Sequence, residues 1–311
     1  METSGVPRVE ATVIGRELSV RVPASTANLG SGFDTLGLAL ALYDEVWLRV
    51  VDRGVRVEVS GEGADAVPRD ASHLLLRALR AATDALGVEL PGVELRCVNR
   101  IPHARGLGSS AATIVSGIAA GYALAGREPD ESALDLAARF EGHADNVAAS
   151  MVGGVVVAWS SAGASPTFRA LRLEPHRALA PVLLVPEVES ATHTTRGLLP
   201  ERVPHEDAAF AASRAALAVA ALTSRPDLLL DATGDRLHQE YRRPAWPRSL
   251  ALVEELRAAG VPAAISGAGP TVVAFPVGAP SWAGFDTSGF EVCPLAVDTR
   301  GVTVREEPAD P

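Results

Sequence analysis

Residues 102–112 read Pro-His-Ala-Arg-Gly-Leu-Gly-Ser-Ser-Ala-Ala, and this stretch decides how the fold of the chain is interpreted. Residues 93–98 before it alternate between apolar and polar and predict a strand. The small residues at 109–125 predict a buried helix that Gly126 closes. A glycine loop that opens a helix presents unpaired backbone N–H groups and a partial positive charge, so the stretch predicts a phosphate-binding loop. The alternative is a plain glycine turn with Ser109 as the helix N-cap.

The composition of the chain excludes several classes of function. The chain has 311 residues, 47% of them hydrophobic, which suffices for a large core and predicts two domains. The formal net charge is −10, so nucleic acid is not an expected partner. All 28 Lys and Arg residues are arginine. Walker A loops and protein kinases both need a lysine near the phosphates, so the sequence excludes both, and it excludes Schiff-base chemistry with them.

The cysteines and the apolar segments carry no signal for a metal, a disulfide or a membrane. Cys97 and Cys293 lie far apart and form no CxxC pair, so two apolar cysteines are expected rather than a zinc site. Residues 1–10 are polar and lack the apolar core of a signal peptide. No charge-free apolar stretch reaches the roughly 18 residues of a membrane span. The cytoplasm is therefore the expected location.

The periodicity of the chain predicts an α+β fold. Residues 45–51 and 55–59 alternate and predict a hairpin that turns at 52–54. Helices are predicted at 72–86, with Gly87 as C-cap, and at 132–140, 207–222 and 248–259; further strands are predicted at 18–22, 155–159, 182–185, 263–265 and 272–275. Residues 160–166, rich in Ser, Ala, Gly and Pro, predict either a domain linker or a hairpin loop. Strands at both ends with helices between them favour α+β over a doubly wound sheet.

Two further glycine-rich loops follow predicted strands. Residues 22–34 contain Ala-Ser-Thr-Ala-Asn-Leu-Gly-Ser-Gly-Phe-Asp, in which Asn28 and Asp34 could bind a ligand. Residues 265–271 read Ile-Ser-Gly-Ala-Gly-Pro-Thr between two apolar runs. Read alone, each loop is better explained by ordinary turn chemistry.

Taken together, these motifs resemble the GHMP kinases, the superfamily of galacto-, homoserine, mevalonate and phosphomevalonate kinases. ASTANLGSGFDTLGLAL at 24–40 and EGHADNV at 141–147, followed by Gly153-Gly154, resemble the homoserine branch in particular. The resemblance spans residues 20–275. It implies an N-terminal domain like domain 2 of ribosomal protein S5 (1–165), a ferredoxin-like C-terminal domain (166–311) and an active site between them. It also implies ATP, Mg²⁺, L-homoserine as substrate and a homodimer.

The resemblance assigns residues to the nucleotide and to the metal. The phosphate loop corresponds to Pro102, Arg105, Gly106, Leu107, Gly108, Ser109, Ser110, Ala111 and Ala112. Ser110 is the expected Mg²⁺ ligand, and the acidic partner falls on Asp135, where the family usually has Glu. The shorter arm of Asp can still serve Mg²⁺, through a water. Glu141 is the second choice.

The resemblance also assigns the substrate site, to Asn28, Asp34, His143, Asn146, Thr192, Arg196, Arg242 and Gly267. Two arginines suit an α-carboxylate, because guanidinium forms paired hydrogen bonds with it. Read alone, each arginine would be a solvated surface charge. The chain departs from the family at Ala144 and Glu240, where proline is usual. The departure at Glu240 weakens the assignment of Arg242.

Asn146 stands where related kinases place an aspartate, and an amide cannot accept a proton as a base at neutral pH. Since phosphoryl transfer depends mainly on positioning, Asn146 is expected to orient the substrate hydroxyl, with Arg105 stabilising charge. Three alternatives stay open: a GHMP kinase for another hydroxyl substrate, a catalytically silent nucleotide-binding paralogue, and a mevalonate-type decarboxylase.

Overall fold

The computed structural model describes residues 13–163, 165–188, 195–276, 278 and 282–307. Its first sheet has seven strands in the order β11-β1-β2-β4-β3, with β5 paired to β2 and β6 paired to β5. The bounds are β1 Glu17–Asn28, β2 Gly32–Val51, β3 Gly54–Gly61, β4 Gly92–Asn99, β5 Val155–Ser160, β6 Phe168–Leu173 and β11 Thr303–Glu307. The mixed helices and sheets confirm the predicted α+β class.

The predicted hairpin between the second and third strands is wrong. β4 lies between β2 and β3, pairing antiparallel with β2 and parallel with β3. A helix, α1 (Leu74–Leu86), connects β3 to β4. A strand, a crossover helix and a parallel strand form the favoured βαβ connection, and this unit overrides the tight turn at 52–54. Gly87 closes α1 with φ of 70°, as predicted.

Three more helices accompany α1 beside the first sheet: α2 Ser109–Leu124, α3 Glu131–Glu141 and α4 Asp145–Val152. α2 is buried along most of its length, as its small residues predict. A Cβ atom on Gly117 would lie 2.3 Å from the carbonyl oxygen of Leu75, so glycine permits the close packing of α2 against α1. α4 was not predicted. It begins inside the EGHADNV motif and brings this motif to the end of the sheet.

The second sheet is antiparallel, in the order β10-β7-β9-β8. Its strands are β7 Val182–Pro186, β8 Ala263–Ile265, β9 Val272–Ala274 and β10 Phe290–Pro294, and its helices are α5 His205–Thr223, α6 Leu229–Ala232 and α7 Pro247–Ala258. Numbered within this unit, the strand order is 4-1-3-2, which is the predicted ferredoxin-like arrangement. β8 and β9 form a hairpin through the third glycine loop. No described helix is long and apolar enough to cross a membrane.

β5 and β6 pair antiparallel, up to Ser160 and Phe168. This pairing favours the hairpin over the domain linker that residues 160–166 also allowed. β6 therefore belongs to the first sheet. So does β11, which pairs antiparallel with β1. In place of a division at 165, we propose that residues 17–173 and 303–307 form one structural unit and that the second sheet forms the other.

Candidate active site

The site lies where three loops converge on the start of α4. The loop after β1, the loop before α2 and the β8–β9 turn enclose a cavity of about 170 Å³. Most of the predicted site residues line it: Asn28, Asp34, Pro102, Arg105, Gly106, Leu107, Gly108, Ser109, Ser110, His143, Asn146, Arg196, Arg242 and Gly267. Glu141, the second choice for the metal, also lines it, as do Phe33, Ala104, Asp145 and Ala268, which were not predicted. Ala111 and Ala112 are buried beneath it, in the first turn of α2. Thr192 lies outside the described residues.

The loop before α2 requires glycine at two positions. Gly106 and Gly108 have φ of 75° and 69°. A Cβ atom on Gly108 would lie 2.1 Å from Ser25 Oγ, and one on Gly106 would lie 2.2 Å from the carbonyl oxygen of Ser266. Gly108 is the N-cap of α2, so Ser109 is not the cap. No side chain of the described residues caps this helix, which leaves its first N–H groups for an anion.

The β8–β9 turn fastens this loop to the end of β1. Ser266 Oγ lies 2.6 Å from the carbonyl oxygen of Gly106 and 2.8 Å from Thr26 Oγ1. The Gly267 N–H donates to the carbonyl oxygen of Ala27 at 3.0 Å. These contacts join the two sheets, so the third glycine loop holds the cavity together rather than simply turning a hairpin.

Asn28 uses both ends of its amide to shape the cavity. Its Nδ2 donates to the carbonyl oxygen of Gly267 at 2.7 Å, and its Oδ1 accepts from the Asp34 N–H at 3.0 Å. Its backbone adopts φ of 68°, a left-handed conformation that asparagine tolerates better than most residues. Asn28 therefore lines the cavity mainly as a brace between the two loops.

Asp34 and Arg196 form a two-pronged ion pair. The guanidinium of Arg196 donates to both carboxylate oxygens of Asp34, at 2.9 and 2.7 Å. The hydrogen bond and charge of Asp34 raise the pKa of Arg196. The ring of Phe33 lies 5.4 Å from this guanidinium. Residues 162 positions apart thus meet in one charged cluster.

Arg242 is buried, with 1% of its surface exposed, rather than solvated. Its Nε donates to the carbonyl oxygen of Thr195 at 3.2 Å, and one terminal nitrogen lies 2.9 Å from His238 Nδ1. Burial, and then the charge of Arg196, lower the pKa of Arg242 to about 10. The side chain therefore still carries its charge at neutral pH. The proline that is usual where Glu240 stands is not needed to bring it here.

Asn146 stands at the start of α4 with 8% of its surface exposed. Its Oδ1 accepts from Ser25 Oγ at 2.9 Å. Since the amide oxygen faces Ser25, the NH₂ group is the end left to act in the cavity. Ser25 lies within the quoted first motif, but its role depends on a contact across 121 positions that the sequence does not show.

His143 forms an ion pair with a buried carboxylate. Its Nδ1 lies 2.8 Å from Asp145 Oδ1, which also accepts from the Asn146 N–H at 2.8 Å. Burial on its own lowers the pKa of His143, but the hydrogen bond and charge of Asp145 outweigh burial and raise it. The charges of Glu141 and Asp34 add to this effect. The buried carboxylate of Asp145 therefore stabilises the protonated form of the His143 ring.

The two acidic candidates for the metal occupy different places. Asp135 pairs with Arg139 at 2.9 Å and accepts from the Phe168 N–H at 2.7 Å, outside the cavity. Glu141, at the last position of α3, accepts from Ser110 Oγ at 2.8 Å and lines the cavity. The structure therefore does not bring Asp135 to Ser110, and the carboxylate beside Ser110 is that of Glu141, the second choice.

Arg105 is held by backbone carbonyls. Its Nε donates to Pro186 O at 2.9 Å, and its terminal nitrogens donate to Glu187 O at 2.6 Å and to His103 O at 2.9 Å. The side chain thereby joins the phosphate loop to the end of β7. Arg105 also lines the cavity, and its role in stabilising charge stays a prediction.

A second cavity of about 340 Å³ adjoins the first at Ala104, Ser109 and Ser110. Apolar side chains form much of its wall, including Val67, Leu75 and Cys97. Two histidines at this cavity, His73 and His103, keep one buried ring nitrogen each without a partner among the described residues.

Comparison with known proteins agrees with this geometry. The family model for the GHMP kinases N terminal domain matches residues 73–154, and the one for the GHMP kinases C terminal matches 215–277. A homoserine kinase of Streptomyces avermitilis is 53% identical, over 92% of this chain and 94% of that protein. One of Rhodococcus erythropolis is 52% identical, over 84% and 86%. The crystal structure of homoserine kinase from Cytophaga hutchinsonii superposes with a TM-score of 0.80 at 27% identity, covering 93% of this chain and 97% of that one.

The fold and the site thus define a small-molecule kinase, and the chain belongs to the GHMP kinases. Within that superfamily it belongs to the homoserine kinase family.

Proposed function

We propose that this protein transfers the γ-phosphoryl group of ATP to the side-chain hydroxyl of L-homoserine, giving O-phospho-L-homoserine for threonine biosynthesis. One observation carries the proposal. A single cavity joins an uncapped, glycine-lined helix start to a carboxylate and two arginines. The first end suits a polyphosphate, and the second suits the two charged groups of an amino acid.

The nucleotide occupies both cavities in this proposal. The phosphates lie at the start of α2, against the backbone of the 106–110 loop. The adenosine enters the adjoining cavity, whose apolar wall suits a base and whose unpartnered His73 and His103 nitrogens suit its polar edge.

Mg²⁺ fits beside the phosphates. Ser110 Oγ and the Glu141 carboxylate lie 2.8 Å apart and supply the oxygen ligands that this ion prefers. Mg²⁺ usually takes only one or two protein ligands together with substrate phosphates, so this pair suffices. When bound, the ion would neutralise charge on the β- and γ-phosphates.

The amino-acid end selects a zwitterion. Asp34 and Arg196 pair with each other in this structure. An α-amino acid can separate them without leaving either charge unpaired, because its ammonium group satisfies Asp34 and its carboxylate satisfies Arg196. Arg242 then provides the second guanidinium for the carboxylate. A hydroxy acid such as mevalonate that separated this pair would leave Asp34 without a partner. A sugar that separated it would leave both Asp34 and Arg196 without one.

The reaction needs no protein base in this arrangement. Asn146 presents its NH₂ group to the hydroxyl oxygen and fixes it in line with the γ-phosphorus. A bond forms between the homoserine oxygen and the γ-phosphorus while the bond to the β-phosphate oxygen breaks, releasing ADP. The hydroxyl proton leaves late, to the transferred phosphoryl group. His143 lines the same cavity, and Asp145 holds its Nδ1.

ADP release with Mg-ATP tests the proposal, comparing L-homoserine with threonine, serine, mevalonate and galactose. We expect release that requires homoserine. If another hydroxyl substrate alone supports it, the substrate assignment is wrong and the kinase assignment stands. ATP binding without release for any substrate would indicate a silent paralogue, and CO₂ release would indicate a decarboxylase.

The homodimer and the cytoplasmic location that the sequence predicts belong to the same proposal. Light scattering on the purified protein tests the first, and fractionation of the producing cell tests the second.

A further inference from the structure

His238 does not line the cavity, but it contacts Arg242, which does. His238 is fully buried, with 0% of its surface exposed. Its Nε2 lies 2.9 Å from the carbonyl oxygen of Gly30, and its Nδ1 lies 2.9 Å from a terminal nitrogen of Arg242. The imidazole thus connects the loop after β1 to the guanidinium of Arg242.

The two partners fix the tautomer of the ring. A carbonyl oxygen only accepts, so Nε2 carries the hydrogen and donates to Gly30. A guanidinium only donates, so Nδ1 of His238 is the acceptor for Arg242. Only the neutral ring meets both conditions, and burial, which lowers the pKa of His238, favours this form.

The surroundings hold the ring in this orientation. The backbone N–H of His238 donates to Asp235 Oδ2 at 3.0 Å. On its other side the ring lies 5.2 Å from the ring of Phe33, at an interplanar angle of 31°. Phe33 also lies 5.5 Å from the Arg242 guanidinium. Phe33 and His238 therefore form a platform that leaves the arginine little freedom.

We propose that His238 is a positioning residue, which orients the Arg242 guanidinium toward the carboxylate of the amino-acid substrate. With Nε bound to Thr195 and one terminal nitrogen bound to His238, the other terminal nitrogen has no partner among the described residues. That nitrogen is the one available at the cavity, which Arg242 lines. The identity of the carboxylate rests on the proposed function; the orientation of Arg242 does not.

Two amide substitutions separate the two hydrogen bonds of the ring. In His238→Asn the amide oxygen can take the place of Nδ1, so the acceptor for Arg242 is kept and the donor to Gly30 is lost. In His238→Gln the longer amide reaches the place of Nε2, so the donor to Gly30 is kept and the acceptor for Arg242 is lost. Both variants place one polar amide in the same buried site, and thermal unfolding checks that both fold.

We expect the KM for homoserine to rise about tenfold or more in His238→Gln, since hydrogen bonds to charged groups are among the stronger ones. His238→Asn should stay within about threefold of wild type, because it keeps that bond. The KM for ATP should not change in either variant. 3-Amino-1-propanol, which is homoserine without its carboxylate, should be phosphorylated equally by wild type and by His238→Gln.

The exposed His205, at the start of α5, provides the matched control. His205→Gln should leave four measurements unchanged: thermal unfolding, the KM for homoserine, the KM for ATP and phosphorylation of 3-amino-1-propanol. Equal losses in His238→Asn and His238→Gln, or losses that extend to ATP and to 3-amino-1-propanol, would overturn the positioning role in favour of a merely structural one. A wild-type protein that neither binds nor phosphorylates homoserine would contradict the proposed function and this inference together. Wild-type activity with an unaffected His238→Gln variant would contradict the inference alone.

Discussion

The two ends of the cavity, to which we assign the phosphates and the amino acid, are built in different ways. The phosphate end is made of backbone, from consecutive residues between β4 and α2, with Gly106 and Gly108 required by positive φ and close contacts. The amino-acid end is made of side chains from distant parts of the chain, including Asp34, Arg196 and Arg242. A site made of consecutive backbone is visible in a sequence, whereas a site assembled from distant side chains requires the fold.

The comparison predicts that the phosphate end tolerates least change. In Gly108→Ala, the added Cβ would meet Ser25 Oγ at 2.1 Å and displace the N–H groups at the start of α2. We expect kcat to fall about a thousandfold, the scale for losing a preorganised donor to transition-state charge. Steady-state kinetics of the purified variant would measure this.

Gly126→Ala, just beyond the other end of α2, is the matched control. Gly126 has φ of 68°, against 69° at Gly108, but no atom lies within 4 Å of its added Cβ. It should cost about 1 kcal/mol of stability through backbone strain and leave kcat unchanged. Equal losses of activity in the two variants would mean that backbone strain, rather than the phosphate cradle, explains the effect.

At the amino-acid end, Arg242→Leu should raise the KM for homoserine about a hundredfold and alter the KM for ATP little. The leucine removes a buried charge that is held ready for the carboxylate. Arg243→Leu is the control, because that neighbouring side chain pairs with Glu240 and Glu254 instead. A large rise in the KM for ATP in Arg242→Leu would show that the two ends of the cavity are not separable.

The two acidic candidates for Mg²⁺, Glu141 and Asp135, should differ in their effect on the Mg²⁺ requirement, and this effect is expected to be smaller than that of Arg242→Leu. Glu141→Gln should raise the Mg²⁺ concentration needed for half-maximal activity by about tenfold to a hundredfold, since it removes the carboxylate beside Ser110. Asp135→Asn should leave this requirement unchanged, because Asp135 pairs with Arg139 outside the cavity. Titrating activity with Mg²⁺ measures both, and the reverse pattern would restore Asp135 as the ligand.

The smallest change is expected at the reacting hydroxyl. Asn146→Asp should lower kcat by up to about tenfold, because a carboxylate near the γ-phosphate adds repulsion and supplies a base that the reaction does not need. A pH–rate profile of the two enzymes is the measurement. A variant much faster than wild type at every pH would show that proton abstraction does limit the reaction.

Local signals in the sequence predicted most of the elements. The small residues of α2 and the Gly87 cap of α1 are contained in a few consecutive positions, and both predictions are confirmed. The pairing of the second and third strands was predicted wrongly, because the position of β4 between them depends on the α1 crossover. α4 was missed because its eight residues begin within a motif that resembles a loop.

Among the site residues, too, local signals could be predicted and contacts that depend on the fold could not. The resemblance assigned Asp135 by its spacing to His143 and Asn146, whereas the carboxylate that accepts from Ser110 Oγ is that of Glu141, the last residue of α3. Ser25 and His238 act through contacts 121 and 4 positions away, with Asn146 and Arg242 respectively. His238 and Arg242 have the spacing of one helical turn, so their contact could have been predicted. Only the structure shows that both side chains are buried.

The position of β11 has a consequence for biosynthesis of the chain. β1 lies between β2 and β11, and on the edge that faces away from β2 its residues Glu17–Arg21 pair with β11. During translation the residues of β11 leave the ribosome after every other strand in the part of the chain that the structure describes. Until then, β1 presents a bare row of amide and carbonyl groups, which is the kind of surface that recruits foreign strands. The nascent protein therefore carries an aggregation hazard at an early strand, β1, until the late strand β11 covers it.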